Sequence, residues 1–196
     1  IYQKAVQEDD PMIAMLMTNM GINLRRMGAY VKARKMYEAA LALRETHLGR
    51  DNLTTLVTLG NLAYLELQAG NYRRAETYLA RVFAMRIQLL GEDNLTTTLT
   101  RFNLARLESI KGNNDKAYNE MQTVLTILSR KLGAEHSRVG ETLSYLGYIC
   151  HRLGKHDEAV HHLQRAIAIH EEIGEQREEM IEALLLLADL QRGRAR

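Results

Sequence analysis

From Asn52 to Gly70 apolar side chains fall at helical spacing (Leu56, Leu59, Leu62 and Ala63), and Gly70 ends the run. From Asn71 to Gly91 the pattern starts again, with Tyr72, Ala75, Leu79, Val82, Phe83 and Met85 on one side of a second helix. This predicts two helices, A and B, joined at a glycine corner. The cycle recurs along the chain. Gly28, Gly70, Gly112 and Gly154 stand 42 residues apart, and Gly49, Gly91, Gly133 and Gly174 keep the same step with the last interval one residue short. Glycine stops helices and turns corners, so a fixed period of this length predicts a solenoid of helix pairs.

Aligning the cycles puts Gly21, Ala63, Ala105 and Gly147 in one column of helix A, and Ala33, Ala75, Ala117 and Ala159 in one column of helix B. Columns restricted to the smallest side chains predict two backbones crossing closely. Pairs that bury one side each must stack on their neighbours to complete a core. The register divides the chain into the end of a preceding helix B (1–10), repeats at 11–52, 53–94, 95–136 and 137–176, and a terminal helix A (177–196) without its partner. On this phase the chain reads as a fragment of a longer array.

Composition narrows the class. Among 196 residues there are one proline, no tryptophan and many helix-forming residues, with 46% hydrophobic and 26% charged. This balance favours a folded all-α chain. No apolar run approaches the roughly 20 residues that cross a bilayer, and a lone cysteine, Cys150, forms no internal disulfide. A cytoplasmic location is the expectation.

Small residue, apolar residue, glycine stop, tyrosine and helix B alanine, in that order, resemble the tetratricopeptide repeat pattern. The period, and strings such as GRDNLTTLVTLGNLAYLELQAGNYRRAETYLA, resemble the kinesin light chain class rather than the common form of about 34 residues. The turn between repeats reads LGRDNL at Leu48, LGEDNL at Leu90 and LGAEHS at Leu132, with a diverged QEDDPM at Gln7 that keeps Pro11. The resemblance spans essentially the whole chain. It implies an all-α right-handed superhelical solenoid of antiparallel helix pairs, acting as a non-catalytic protein-binding module. One departure concerns a position commonly tyrosine in the family, which here holds Leu24, Glu66, Glu108 and Cys150. Projection turns both glutamates toward the packed side, where an unpaired carboxylate is costly. Either arginines of helix B pair with them or they sit at a partly wet edge.

Function in such a solenoid comes from shape. Helix A lines the concave surface, and its inner stripe is expected at Met15, Asn19, Ile22 and Arg26, then Val57, Asn61, Tyr64 and Gln68. The later repeats give Leu99, Asn103, Arg106 and Ile110, then Glu141, Tyr145, Tyr148 and Arg152. Asn19, Asn61 and Asn103 share a column, and an asparagine ladder can hold the main chain of an extended peptide. In peptide-binding members of the family the equivalent asparagines do this; the alternative is that they bridge adjacent A helices. Tyr64, Tyr148, Arg106 and Arg152 would supply selectivity, with Arg26 and Tyr145 on the same stripe. The stripe holds no lysine, which argues against a clamp for a terminal carboxylate.

The remaining chemistry is sparse. Arg25 to Gly91 carries eleven basic and five acidic residues, whereas Asp157 to Asp189 carries two basic and nine acidic. This gradient would orient a partner or favour self-association, although charge runs usually form a solvated face. A continuous basic stripe with stacking aromatics is lacking, so nucleic acid is not an expected partner. His151, His156, His161, His162 and His170 cluster without the spacing of a zinc shell, and neither a metal nor another cofactor is expected. Cys150 falls in a packing column, and no phosphate-binding glycine loop, HExxH or serine elbow occurs, so no enzyme activity is expected. Asn52 and Asn94 begin NLT sequons but also sit where helix caps belong. The rival expectation is a regulatory or self-association arm of a larger protein carrying a kinase or nucleotide-switch module.

Overall fold

The computed structural model describes residues 11–174 and 178–194. The expected helix B end at 1–10 and the turn residues Gln7 to Asp10 lie outside them. Among the described residues all regular structure is helical: α1 (Pro11–Arg26), α2 (Tyr30–Leu48), α3 (Leu53–Gln68), α4 (Tyr72–Leu90), α5 (Leu95–Ile110), α6 (Asn114–Leu132), α7 (Ser137–Arg152), α8 (His156–Ile173) and α9 (Glu178–Arg194). Odd-numbered elements are helices A and even-numbered ones helices B, as the glycine register predicts.

The two glycine sets mark two different corners. All eight have positive φ, between 70° and 94°, and a side chain at any of them would meet open space. Backbone handedness, rather than crowding, selects glycine there. At the A-to-B corner the amide three residues past the helix bonds back across the turn: Ala29 to Leu24 O, Asn71 to Glu66 O, Asn113 to Glu108 O and Lys155 to Cys150 O, at 2.8–2.9 Å. The next helix A opens on a side-chain cap. Asn52 Oδ1 accepts from Thr54 N (2.8 Å), and Asn94 Oδ1 from Thr96 N (2.9 Å). In the third such place His136 Nδ1 accepts from Arg138 N (3.0 Å).

Gly21 and Gly147 are glycines for another reason. An added Cβ would lie 2.6 Å from the Tyr37 ring or from Leu163 Cγ, respectively. The equivalent Ala63 and Ala105 are fully buried, as are all four alanines of the helix B column. The expected close crossing of A and B backbones is therefore present.

The chain forms two compact units, residues 1–89 and 90–196. In the first, α2 packs against α1 and α3, and a core of Ala33, Tyr37, Leu62 and Leu65 takes in Ile22, Leu24 and Tyr78. In the second, α5 to α9 pack in sequence, and α7 also touches α5 and α9. Its larger core centres on Phe102, Met121, Val124, Leu143, Leu146 and Ile149, and a smaller one joins Cys150, Leu163 and Ile167 to Ala183 and Leu190 of α9.

Candidate functional site

In the first unit, α1, α2 and α3 border a cavity of about 310 Å³ whose wall includes Met15, Asn19, Ile22, Arg44, Val57 and Asn61. Five of these six are stripe residues, spaced so that one face of each helix A presents them together. The structure thus brings Asn19 and Asn61 to one concave surface. Arg44 was missed because it belongs to helix B. It follows Ala33, Tyr37 and Ala40 at core spacing, and all four are buried, so the periodicity itself carried the signal. Arg44 is 7% exposed, donates to Thr54 O at 3.2 Å and forms a short bond to Thr58 Oγ1. Burial lowers its pKa, and Thr54 O and Thr58 Oγ1 are both neutral oxygens.

Beside the cavity, Arg25 stacks on Tyr64, 4.7 Å from the ring centre, and donates to Gln68 Oε1 at 2.8 Å. Arg26, the expected stripe residue, is exposed; its neighbour makes the aromatic contact. Such an arginine–tyrosine stack fixes the ring while leaving an edge for a ligand.

In the second unit, Arg106 covers the Tyr145 ring at 4.7 Å, and Phe102 meets that ring edge-on, with centroids 5.2 Å apart. Arg152 lies 5.8 Å from the ring of exposed Tyr148 and donates to its hydroxyl at 3.3 Å. Asn103 turns its Nδ2 onto Leu99 O of its own helix (3.2 Å), while its Oδ1 is buried without a hydrogen bond. Glu141, the first residue of the expected fourth stripe, is 8% exposed and accepts from Arg138 at 2.9 Å. A second cavity of about 480 Å³, bordered by Tyr145, Tyr148, Leu163, Glu182, Leu185 and Asp189, lies among α7, α8 and α9.

The departure at the end of helix A is resolved differently in each repeat. Glu66 is fully buried and accepts from Arg34 (2.5 and 2.8 Å) and Asn71 (2.6 Å), with Arg74 at 3.5 Å. Burial pushes its carboxyl up, but these donors outweigh burial and hold it below its ordinary pKa; the same pair raises that of Arg34. Glu108 is met by Asn113 (2.7 Å) and Lys116 (3.1 Å), with Lys111 at 3.8 Å, and its carboxyl too is held low, chiefly by Asn113. Expected arginine partners thus occur at Glu66, whereas lysines and an asparagine serve Glu108. The fourth residue, Cys150, is fully buried, and burial pushes its thiol up to about 11, with Glu158 adding to the shift. A protonated thiol is a poor nucleophile.

Helix pairs at a fixed period, with arginine, aromatic and asparagine side chains gathered on helix A, define a repeat scaffold. The chain belongs to the tetratricopeptide repeat family, whose profile matches residues 12–88, 61–130, 94–172 and 138–196. Repeats of this family are typically protein-interaction modules, and the fold is generally a non-enzymatic scaffold. No curated protein sequence matches the chain. Among solved structures it is similar to the nearly identical TPR-like repeats of a kinesin light chain-type protein from Podosopora anserina. That likeness has 19% identity and a TM-score of 0.74, covering 95% of this chain and 89% of that one. BtubC (BKLC) from P. vanneervenii is similar at 20% identity and TM-score 0.73, over 88% and 69% of the two chains. The apo form of RapI is similar at 15% and 0.75, over 93% and 64%. These likenesses establish the repeat fold. No described helix is long and apolar enough to cross a membrane.

Proposed function

We propose that the chain is a non-catalytic interaction module that binds an extended peptide or a partner helix against its A helices. The observation that carries this reading is the cavity of the first unit, where Asn19 and Asn61 face apolar Met15, Ile22 and Val57. Two primary amides offer paired donors and acceptors to a main chain, and the apolar wall takes a side chain. Arg44, buried against neutral oxygens, favours a ligand that brings a carboxylate or carbonyl to the same cavity. In the second unit Asn103, Arg106, Tyr145, Tyr148 and Arg152 supply the corresponding contacts, and Tyr64 and Arg26 flank the first. The bound segment lies in a cytoplasmic partner.

The test selects a binding peptide from a displayed library with the wild-type chain, then measures its affinity for the Asn19→Ala/Asn61→Ala variant. A loss of more than about tenfold is expected, since each amide contributes about 1 kcal/mol. Unchanged affinity overturns the groove reading.

A second reading is a regulatory or self-association arm of a larger protein. It is favoured by exposed Met12, Leu16 and Met20 on α1 and exposed Ile181, Leu184 and Leu185 on α9. A strictly monomeric chain by light scattering across concentration would count against self-association.

A further inference from the structure

The slot at the end of helix A repeats every 42 residues, but in the fourth repeat a thiol and a carboxylate replace its carboxylate and cation. Glu66 and Glu108 each receive a cation from the same place in the following helix B, Arg74 and Lys116. In register, Cys150 replaces the glutamate and Glu158 replaces the cation. One turn further along α8, His162 falls on the face that carries Glu158. The thiol sulfur, a carboxylate oxygen and a ring nitrogen of these three residues all lie within 4.8 Å of one another.

We propose that Cys150, Glu158 and His162 form a binding site for a divalent metal ion of the zinc class. A sulfur, nitrogen and oxygen donor set suits a borderline-soft ion, and three protein ligands leave a fourth position for water or a partner's side chain. Zinc bonds of about 2.0–2.3 Å set neighbouring tetrahedral ligand atoms about 3.3–3.8 Å apart, so a closure of about 1 Å by side-chain rotation brings the three ligands to bonding distance. Cys150 Sγ already sits 4.0 Å from Glu158 Oε2. Tyr118 donates its hydroxyl to the same oxygen at 2.9 Å, the kind of outer contact that orients a ligating carboxylate. His162 Nδ1 is buried without a hydrogen-bond partner. Lys155 approaches Glu158 Oε1 at 3.7 Å, but both are more than 40% exposed, and a surface pair of that kind competes weakly. On binding, the thiol proton leaves to solvent and the thiolate takes the metal. The ion restores the positive charge that Arg74 and Lys116 provide in the earlier repeats.

Because the chain has a single cysteine, a cobalt–thiolate charge-transfer band reports on this site alone. Titrating the purified chain with Co²⁺ should produce the band at one equivalent, and Zn²⁺ should abolish it. Cys150→Ala removes the band. Glu158→Gln and His162→Gln, on partly exposed positions that keep the fold by circular dichroism, each weaken Co²⁺ binding by about tenfold or more. No band at saturating Co²⁺ overturns the proposal. So does undiminished affinity in His162→Gln, which would remove that histidine from the ligand set.

Discussion

At the scale of single residues, the repeat register separates glycines that look alike in sequence. Gly21→Ala drives a methyl to 2.6 Å from Tyr37, and about 1–3 kcal/mol of stability should be lost. Gly60 lies within α3, with nothing nearer to an added Cβ than Arg86 at 3.6 Å. Gly60→Ala should therefore stabilise by about 0.5–1 kcal/mol, and thermal melts of the two variants must shift in opposite directions. The two carboxylates at the end of helix A make an acid-side prediction. Glu66 and Glu108 have pKa values depressed below 4.5, so the unfolded chain binds protons more readily. Their stabilisation is present above that pH and is lost as the pH falls through the folded values. Glu66→Gln should cost about 2 kcal/mol at neutral pH and flatten the stability curve below pH 4.5. A curve as steep as wild type would remove Glu66 from that account. The sequence marked both glutamates as needing partners, but not which ones. Arg34 reaches Glu66 from the preceding repeat, 32 residues away, a pairing that only the packing of α2 on α3 creates.

At the scale of the helix, the boundaries were legible because the stop signals act locally. A positive-φ glycine and an Asn cap each act within one turn, so α3 and α5 begin directly after Asn52 and Asn94. His136 performs the same duty for α7 with a ring nitrogen, which accepts only while unprotonated. His136→Asn should raise stability by about 0.5 kcal/mol, read as a higher melting temperature, because Asn is among the best caps. No gain would mean that the ring already caps α7 as well as an amide does. The helical projection did less well on the expected inner stripe. It grouped Met15, Asn19, Val57 and Asn61, which border one cavity, whereas Glu141 in the same register is 8% exposed and paired with Arg138. Arg44 and Arg25 escaped for the opposite reason. A search confined to helix A overlooks a cation supplied by helix B or one residue off the stripe.

At the scale of the whole chain, each unit has its own core, and in a solenoid stability is carried by neighbouring repeats. Residues 90–196 alone should keep a helical far-UV spectrum and a cooperative melt; a featureless melt would show that this core needs the preceding repeats. The corner glycines bear on more than folding. Each turn uses one residue in a left-handed conformation with open space around it, and it asks nothing of distant side chains. A genetic crossover between two such corners 42 residues apart would add or delete one whole helix pair and leave every remaining residue in register. Arrays built this way can change length by recombination in single steps.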